Sequence, residues 1–202
     1  MSGISRRTQG RILAVAFAGT MSVASLAFGI GPASASTVSA TYSCSAATPV
    51  GQVTYSGTAD FTGTTPATVA PGTTVSMTGF QASMSVPGSL LDEAYGYGVR
   101  TATAKVTAFD IDATDATPGT LDAVKKPITV GHLKLLSSGN PTLNGRVPAK
   151  AAKIKGWVAG KAGTMSFSPG NAAIDFKSNL GSLAVQCTPS APVPAISTTT
   201  VG

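Results

Sequence analysis

Apolar and polar residues alternate along much of this chain with a period of two, the signature of strands that bury one face. In VSATYSC, Val38, Ala40, Tyr42 and Cys44 fall on one side and Ser39, Thr41 and Ser43 on the other. LAVQC repeats the pattern near the far end, with Leu183, Val185 and Cys187 on a shared face. VTYSGTADFT sets Val53, Tyr55, Ala59 and Phe61 against Thr54, Thr58, Asp60 and Thr62. In TTVSMTGFQASMSV the apolar phase switches across Gly79, from Val75 and Met77 to Phe80, Ala82, Met84 and Val86. A bulge or a change of sheet is the natural device for such a switch.

Further β-prone runs are VRTATAKVTAFDID from Val99, ITVGHLKLL from Ile128, KIKGWV from Lys153, GTMSFS from Gly163 and AIDFKS from Ala173. SPGN, 168–171, reads as a turn between the last two. PGSLLDEAYGYG from Pro87 predicts one short helix, with Ser89 as its cap and Asp92 three residues on. Glu93 adds negative charge near the helix's positive end, and Gly96 and Gly98 stop it. About eight or nine strands, no long amphipathic helix and no internal repeat predict an all-β fold, an antiparallel β-sandwich of Ig-like or Greek-key type. Greek-key sandwiches bring terminal strands together, which favours them over a barrel. The domain is expected over residues 36–190, and the Pro-, Ser- and Thr-rich SAPVPAISTTTVG is expected as a flexible tail over 191–202.

The N-terminus changes the picture of where such a domain works. Arg6, Arg7 and Arg11 precede the apolar run Ile12–Ile30, and Ala33 and Ala35 bracket Ser34. Basic start, apolar run and A-x-A site together form a secretory signal peptide, residues 1–35, with cleavage after Ala35. What remains, residues 36–202, is long enough for one domain with a sizeable core. Removing the three arginines lowers the net charge from +6 to +3, less basic than a bulk nucleic-acid binder. Two cysteines in an exported chain, Cys44 and Cys187, predict one disulfide, and neither belongs to a CxxC pair. Each lies on the apolar side of its own strand, as a bond through a β-core requires. No LPxTG-type sorting signal or lipobox cysteine is present, so secretion or loose wall association is expected.

Candidate chemistry is sparse. The one histidine, His132, has no recognisable nucleophile or orienting partner, and no G-x-S-x-G elbow occurs. A single histidine also rules out a multi-histidine metal site. Asp110, Asp112 and Asp115 in FDIDATDAT are a candidate calcium cluster, yet a loop begun at Asp110 has Asp115 in the place of the EF-hand glycine and Leu121 in the place of its glutamate. Aspartates favouring a turn explain the same residues. No cofactor is expected. RVPAKAAKIKGWVAGKAG, 146–163, holds five basic residues, no acidic one and the only tryptophan. In the strand reading Lys153, Lys155 and Trp157 share a face. Arg146, Lys150, Lys153, Lys155, Trp157 and Lys161 thus form a candidate surface for an anionic polymer or glycan, against a bland alternative of edge-protecting lysines and a core tryptophan. Charge is asymmetric: residues 36–122 carry net −5 and residues 123–202 net +8.

TYSCSA, TPATVAPGTTVSMTG (65–79) and LAVQCTP together resemble a group of small exported actinobacterial β-sandwich proteins. The resemblance implies an extracellular, disulfide-linked, Ig-like sandwich, and it carries over no catalytic residue. The expectation is a non-catalytic binding or structural module of the envelope or extracellular space, meeting wall polymer, glycan or another extracellular protein, with no nucleic-acid partner and with membrane contact only through the transient signal peptide. One alternative is a secreted protease inhibitor presenting TPGTLDAVKKPIT, and a second is a hydrolase with an unrecognised site.

Overall fold

The computed structural model describes residues 37–48 and 51–202; the predicted signal peptide, 1–35, lies outside them. Among the described residues no helix is long and apolar enough to cross a membrane. The elements are β1 Val38–Thr48, β2 Gly51–Thr64, β3 Thr68–Val69, β4 Thr74–Val86, α1 Gly88–Gly96, β5 Thr101–Ala113, β6 Ala116–Thr117, β7 Thr120–Asp122, β8 Ile128–Lys134, β9 Leu143–Ala159, β10 Gly163–Ser178, β11 Gly181–Pro189 and β12 Ser197–Val201.

The fold is all-β, as the alternation requires. Eight main strands ladder antiparallel in the order β8-β5-β10-β11-β1-β2-β4-β9. The strand count exceeds the predicted eight or nine because β3, β6, β7 and β12 add short pairings at the rim. One continuous sheet curls so that its two halves face each other across a single core. β8 and β9, the ends of that order, come into contact. A Cβ on Gly145 of β9 would run into the Val130 side chain of β8, so glycine lets this seam close. The interior holds fully buried Phe61, Phe80, Ile111, Trp157, Met165 and Phe167. Phe61 and Phe80 both pack on Phe109, with ring centroids 5.3 and 5.8 Å apart. Each such side chain contributes about 1.5–3 kcal/mol by leaving water.

The predicted phase switch in β4 is a bulge. Register shifts between Met77 and Phe80, and Gly79 takes φ 67, so Val75, Met77, Phe80 and Ala82 all reach the core. Other expectations are corrected. Cys44 and Cys187 are bonded, but they lie directly opposite each other on adjacent strands β1 and β11, with Cα atoms 4.0 Å apart. The bond is a cross-strand staple on the core face, not a bridge through the core. SPGN is no turn: β10 continues through it, with a register shift against β5 between Pro169 and Ala172, while passing from one neighbour, β12, to the next, β11. Ser89 lies inside α1, whose N-cap is Pro87 with no side-chain hydrogen bond.

The C-terminal segment is not a loose tail. Ser197–Val201 forms β12 between β10 and β3. Thr199 donates to Thr65 Oγ1 at 2.8 Å, and Thr65 Oγ1 lies 2.8 Å from Ser197 Oγ, three buried hydroxyls satisfying one another. Alternate residues Ser197, Thr199 and Val201 face inward, a period-two signal hidden by the surrounding Thr and Pro.

Candidate functional site

The basic stretch lies on β9, and two irregularities decide what it presents. Val75 pairs with Trp157 and Ser76 with Lys155, leaving Gly156 as an extra residue at φ 131. The bulge shifts the strand's phase by one residue. Lys155 and Gly156 therefore both face out, while Ile154 and Trp157 both face in. Trp157 is 0% exposed and sits edge-on to Phe167, with centroids 5.0 Å apart. Its place on one face with Lys153 and Lys155 is thus corrected: the ring is a core anchor and cannot stack on a sugar. Its indole Nε1 has no hydrogen-bond partner among the described residues.

The second irregularity is larger. Ala82 pairs with Val147 and Phe80 with Ala152, so Pro148, Ala149, Lys150 and Ala151 stand opposite Gln81 alone. Gln81 Nε2 donates to the carbonyls of Pro148 at 3.1 Å and Ala149 at 3.4 Å, pinning this swelling and raising Lys150 above the sheet. Arg146, Lys150, Lys153 and Lys155 are all exposed. Their span, from Ser83 to Ser76 on the partner strand, is roughly 20 Å at strand rise. Neither β4 nor β9 contains an acidic residue, and β4 offers Ser76, Thr78, Gln81, Ser83 and Ser85 beside the cations. None of the four is ion-paired within the described residues. Lys161, also exposed, sits apart in the β9–β10 turn, where Gly160 N–H donates to Asp115 O at 2.8 Å.

The aspartates are engaged in local structure. Asp112 Oδ1 accepts from Thr120 Oγ1 at 2.7 Å. Asp122, which the sequence did not single out, faces Asp110 across the β5–β7 pair and accepts from the backbone N–H groups of Phe109 and Val124. Burial, then repulsion from Asp122 and Asp112, raises the pKa of Asp110. Asp115 takes φ 52 in the turn beyond β5. Among the described residues no three of His, Cys, Asp or Glu converge to hold a metal, so the calcium cluster is corrected to a strand end and its turn. His132 is exposed on β8, with Nδ1 2.7 Å from Thr103 Oγ1.

TPGTLDAVKKPIT contains β7 and is tied down by buried Val124, leaving Lys125, Lys126 and Pro127 exposed. Inside the curled sheet an apolar cavity of about 70 Å³ is lined from all eight main strands. Its volume is less than half that of a cavity that admits benzene. Its half-buried lining, Tyr55, Met84, Val86, Val130, Leu143 and Phe176, marks the end at which it opens.

The geometry defines a disulfide-stapled all-β domain with one cationic strand face. In fold it is similar to the crystal structure of a protein from Corynebacterium diphtheriae described as a "putative membrane anchored protein", with TM-score 0.51 and 15% identity over 84% of this chain and 38% of that one. At that identity the likeness is one of fold, and this chain matches well under half of its neighbour's length. No protein-family model and no curated protein matches the chain.

Proposed function

We propose that this protein is an exported, non-catalytic module of the cell envelope whose β9 face binds an anionic wall polymer. One observation carries the reading: Arg146, Lys150, Lys153 and Lys155 project along one side of one strand with no acid in it or in its neighbour β4. Four cations with no ion pair among the described residues, spaced over roughly 20 Å, match a chain of repeated negative charges better than a single small anion. The disulfide supports export, since such bonds persist in oxidising compartments. With Trp157 in the core, recognition rests on charge and hydroxyls and not on ring stacking.

Lysines on β9, the last main strand of the ladder, also blunt edge pairing, and the two roles separate by sign. Lys153→Glu with Lys155→Glu preserves charged edge protection but reverses attraction. Retention on purified cell wall at low salt is expected to fall about 10- to 100-fold in this variant, and wild-type retention to fall as salt rises. Wall stripped of its anionic polymer serves as the control. Retention that ignores salt, the charge reversal and the stripping defeats the proposal.

A further inference from the structure

A second surface, independent of the β9 face, lies at one end of the sheet. Among the described residues five large hydrophobic side chains are exposed, and four of them gather there: Tyr97 at 74%, Leu180 at 63%, Leu136 at 53% and Val53 at 45%. The register places them together. Val53, two residues past the start of β2, pairs with Ala46, two residues before the end of β1, and Ala46 pairs with Val185 in the middle of β11, so Val53 reaches this end through the close of the β1–β2 ladder. Leu180 sits in the β10–β11 turn, where Ser178 pairs with Ala102. Thr101 pairs with Lys134, and Leu135 N–H donates to Arg100 O, which brings Leu136 to the same end as Tyr97.

These side chains are held out by polar lacing beneath them. Asn179 accepts from the N–H groups of Arg100 and Thr101 and donates to Gly98 O, tying the turn that bears Leu180 to the loop that bears Tyr97. Asn140 bonds both N–H and C=O of Leu136, and its own N–H and Nδ2 donate to Asp92 of α1. Those bonds hold the Asp92 carboxyl below its ordinary pKa. The amphipathic order is inverted relative to an ordinary rim, with polar groups inside the loops and apolar tips outside. α1 lies here too and buries no residue. The apolar cavity opens at this end, so the core itself reaches toward the tips.

Cations flank the tips. Arg100 lies over the Tyr95 ring at 3.8 Å, and Lys134 and Lys177 are exposed on β8 and β10. Asp92 is engaged by Asn140, which leaves Glu93 as the exposed acid of α1. Separate apolar tips with a tyrosine among them and basic residues just behind suit a lipid interface, where rings and alkyl groups enter the acyl boundary and cations meet phosphate. We propose that this end docks on the surface of a lipid bilayer containing anionic headgroups, through Tyr97, Leu180, Leu136 and Val53.

The test is flotation with vesicles of phosphatidylcholine and phosphatidylglycerol, using protein lacking residues 1–35, whose apolar run would partition by itself. Tyr97→Ser with Leu180→Ser alters exposed positions only, and unchanged Trp157 emission reports the intact core. Wild-type protein is expected to float with the vesicles, and the double variant to lose about tenfold or more in partition. Lys153→Glu with Lys155→Glu, the variant that tests the β9 face, is expected to float like wild type. Failure of wild type to float, or flotation unaffected by the double variant, overturns the proposal. So does loss of flotation in the charge-reversed variant alone, which would assign adsorption to β9. A dimer in solution that the double variant dissolves would reassign the tips to self-contact and equally overturn it.

Discussion

Replacing both cysteines, Cys44→Ala with Cys187→Ala, tests how much of the fold's stability depends on joining its first and last main strands. The bonded residues are 143 positions apart. The chain-entropy relation gives about 5 kcal/mol for a loop of that length at 25 °C. Structure retained in the unfolded chain lowers the figure, and the β1–β2 ladder, which runs from Val38↔Phe61 to Thr48↔Gly51, is local enough to form early. Both sulfurs are buried in the core face, so alanine also leaves a small gap, about 1 kcal/mol by analogy with buried methyl deletions. A net loss of about 4–5 kcal/mol is therefore expected, a large share of the roughly 5–15 kcal/mol that domains possess. Urea unfolding followed by Trp157 emission measures it, with reduced wild-type protein separating the crosslink from the gap. The m-value should rise as well, because an uncrosslinked unfolded chain exposes more surface. A loss below about 1 kcal/mol with an unchanged m-value would refute the reasoning, as would free thiols in the denatured, unreduced protein.

Gly156→Ala should cost about 1–3 kcal/mol, since φ is 131 and the new Cβ would lie 3.3 Å from Leu121 Cδ1; a neutral thermal melt would dismiss the bulge as the reason Trp157 faces in. Tyr42 is buried and donates to Gly170 O at 3.0 Å; burial, with the Asp112 charge second, raises its pKa well above the ordinary range. The unfolded chain releases this proton near pH 10 and the folded chain does not, so its contribution is complete below about pH 10 and is lost above it, at up to about 1.4 kcal/mol per pH unit. Urea melts at pH 9, 10 and 11 should show that slope in wild type and a shallower one in Tyr42→Phe; equal slopes would contradict the assignment.

Wherever a strand kept one phase, its sequence announced its buried face. β1 and β11 bury Tyr42, Cys44, Val185 and Cys187 as their alternation requires, and the glycine in TVSMTGFQ marked the bulge in β4. The losses came where an inserted residue broke the phase without an apolar switch to betray it. In KIKGWV, strict alternation put Trp157 with the lysines, and the bulge at Gly156 moved it to the core. Gly156 was the available signal, as Gly79 had been. β12 was concealed by its composition: its buried positions include Ser197 and Thr199, whose hydroxyls satisfy each other only after the chain closes on Thr65. Pairing on adjacent strands rather than across the core was beyond period-two reasoning, because a face says which way a cysteine points and not which strand lies beside it. The apolar tips were equally hidden, spread from Val53 to Leu180 and united only by the register of the finished sheet.

The two proposed surfaces differ in direction, and that difference is itself a constraint. The β9 cations follow a strand whose first residue, Leu143, pairs with Val86 at the end bearing the apolar tips. Lys155 lies toward the opposite end, where Trp157 and the β9–β10 turn close the core. A domain resting on a bilayer by Tyr97 and Leu180 would therefore hold its row of cations along its side, rising away from the lipid. Strands in a curled sheet tilt, so the row would climb obliquely and not stand upright. A polymer bound along β9 would then leave the membrane surface instead of lying flat upon it. Neither ligand would have to displace the other, because the cations stand along the side of the sheet on β9 while Asn140 and Asn179 lace the tips at its end. Simultaneous retention of one protein by vesicles and by wall polymer follows from this arrangement, and mutual exclusion between them would mean that the two surfaces are one.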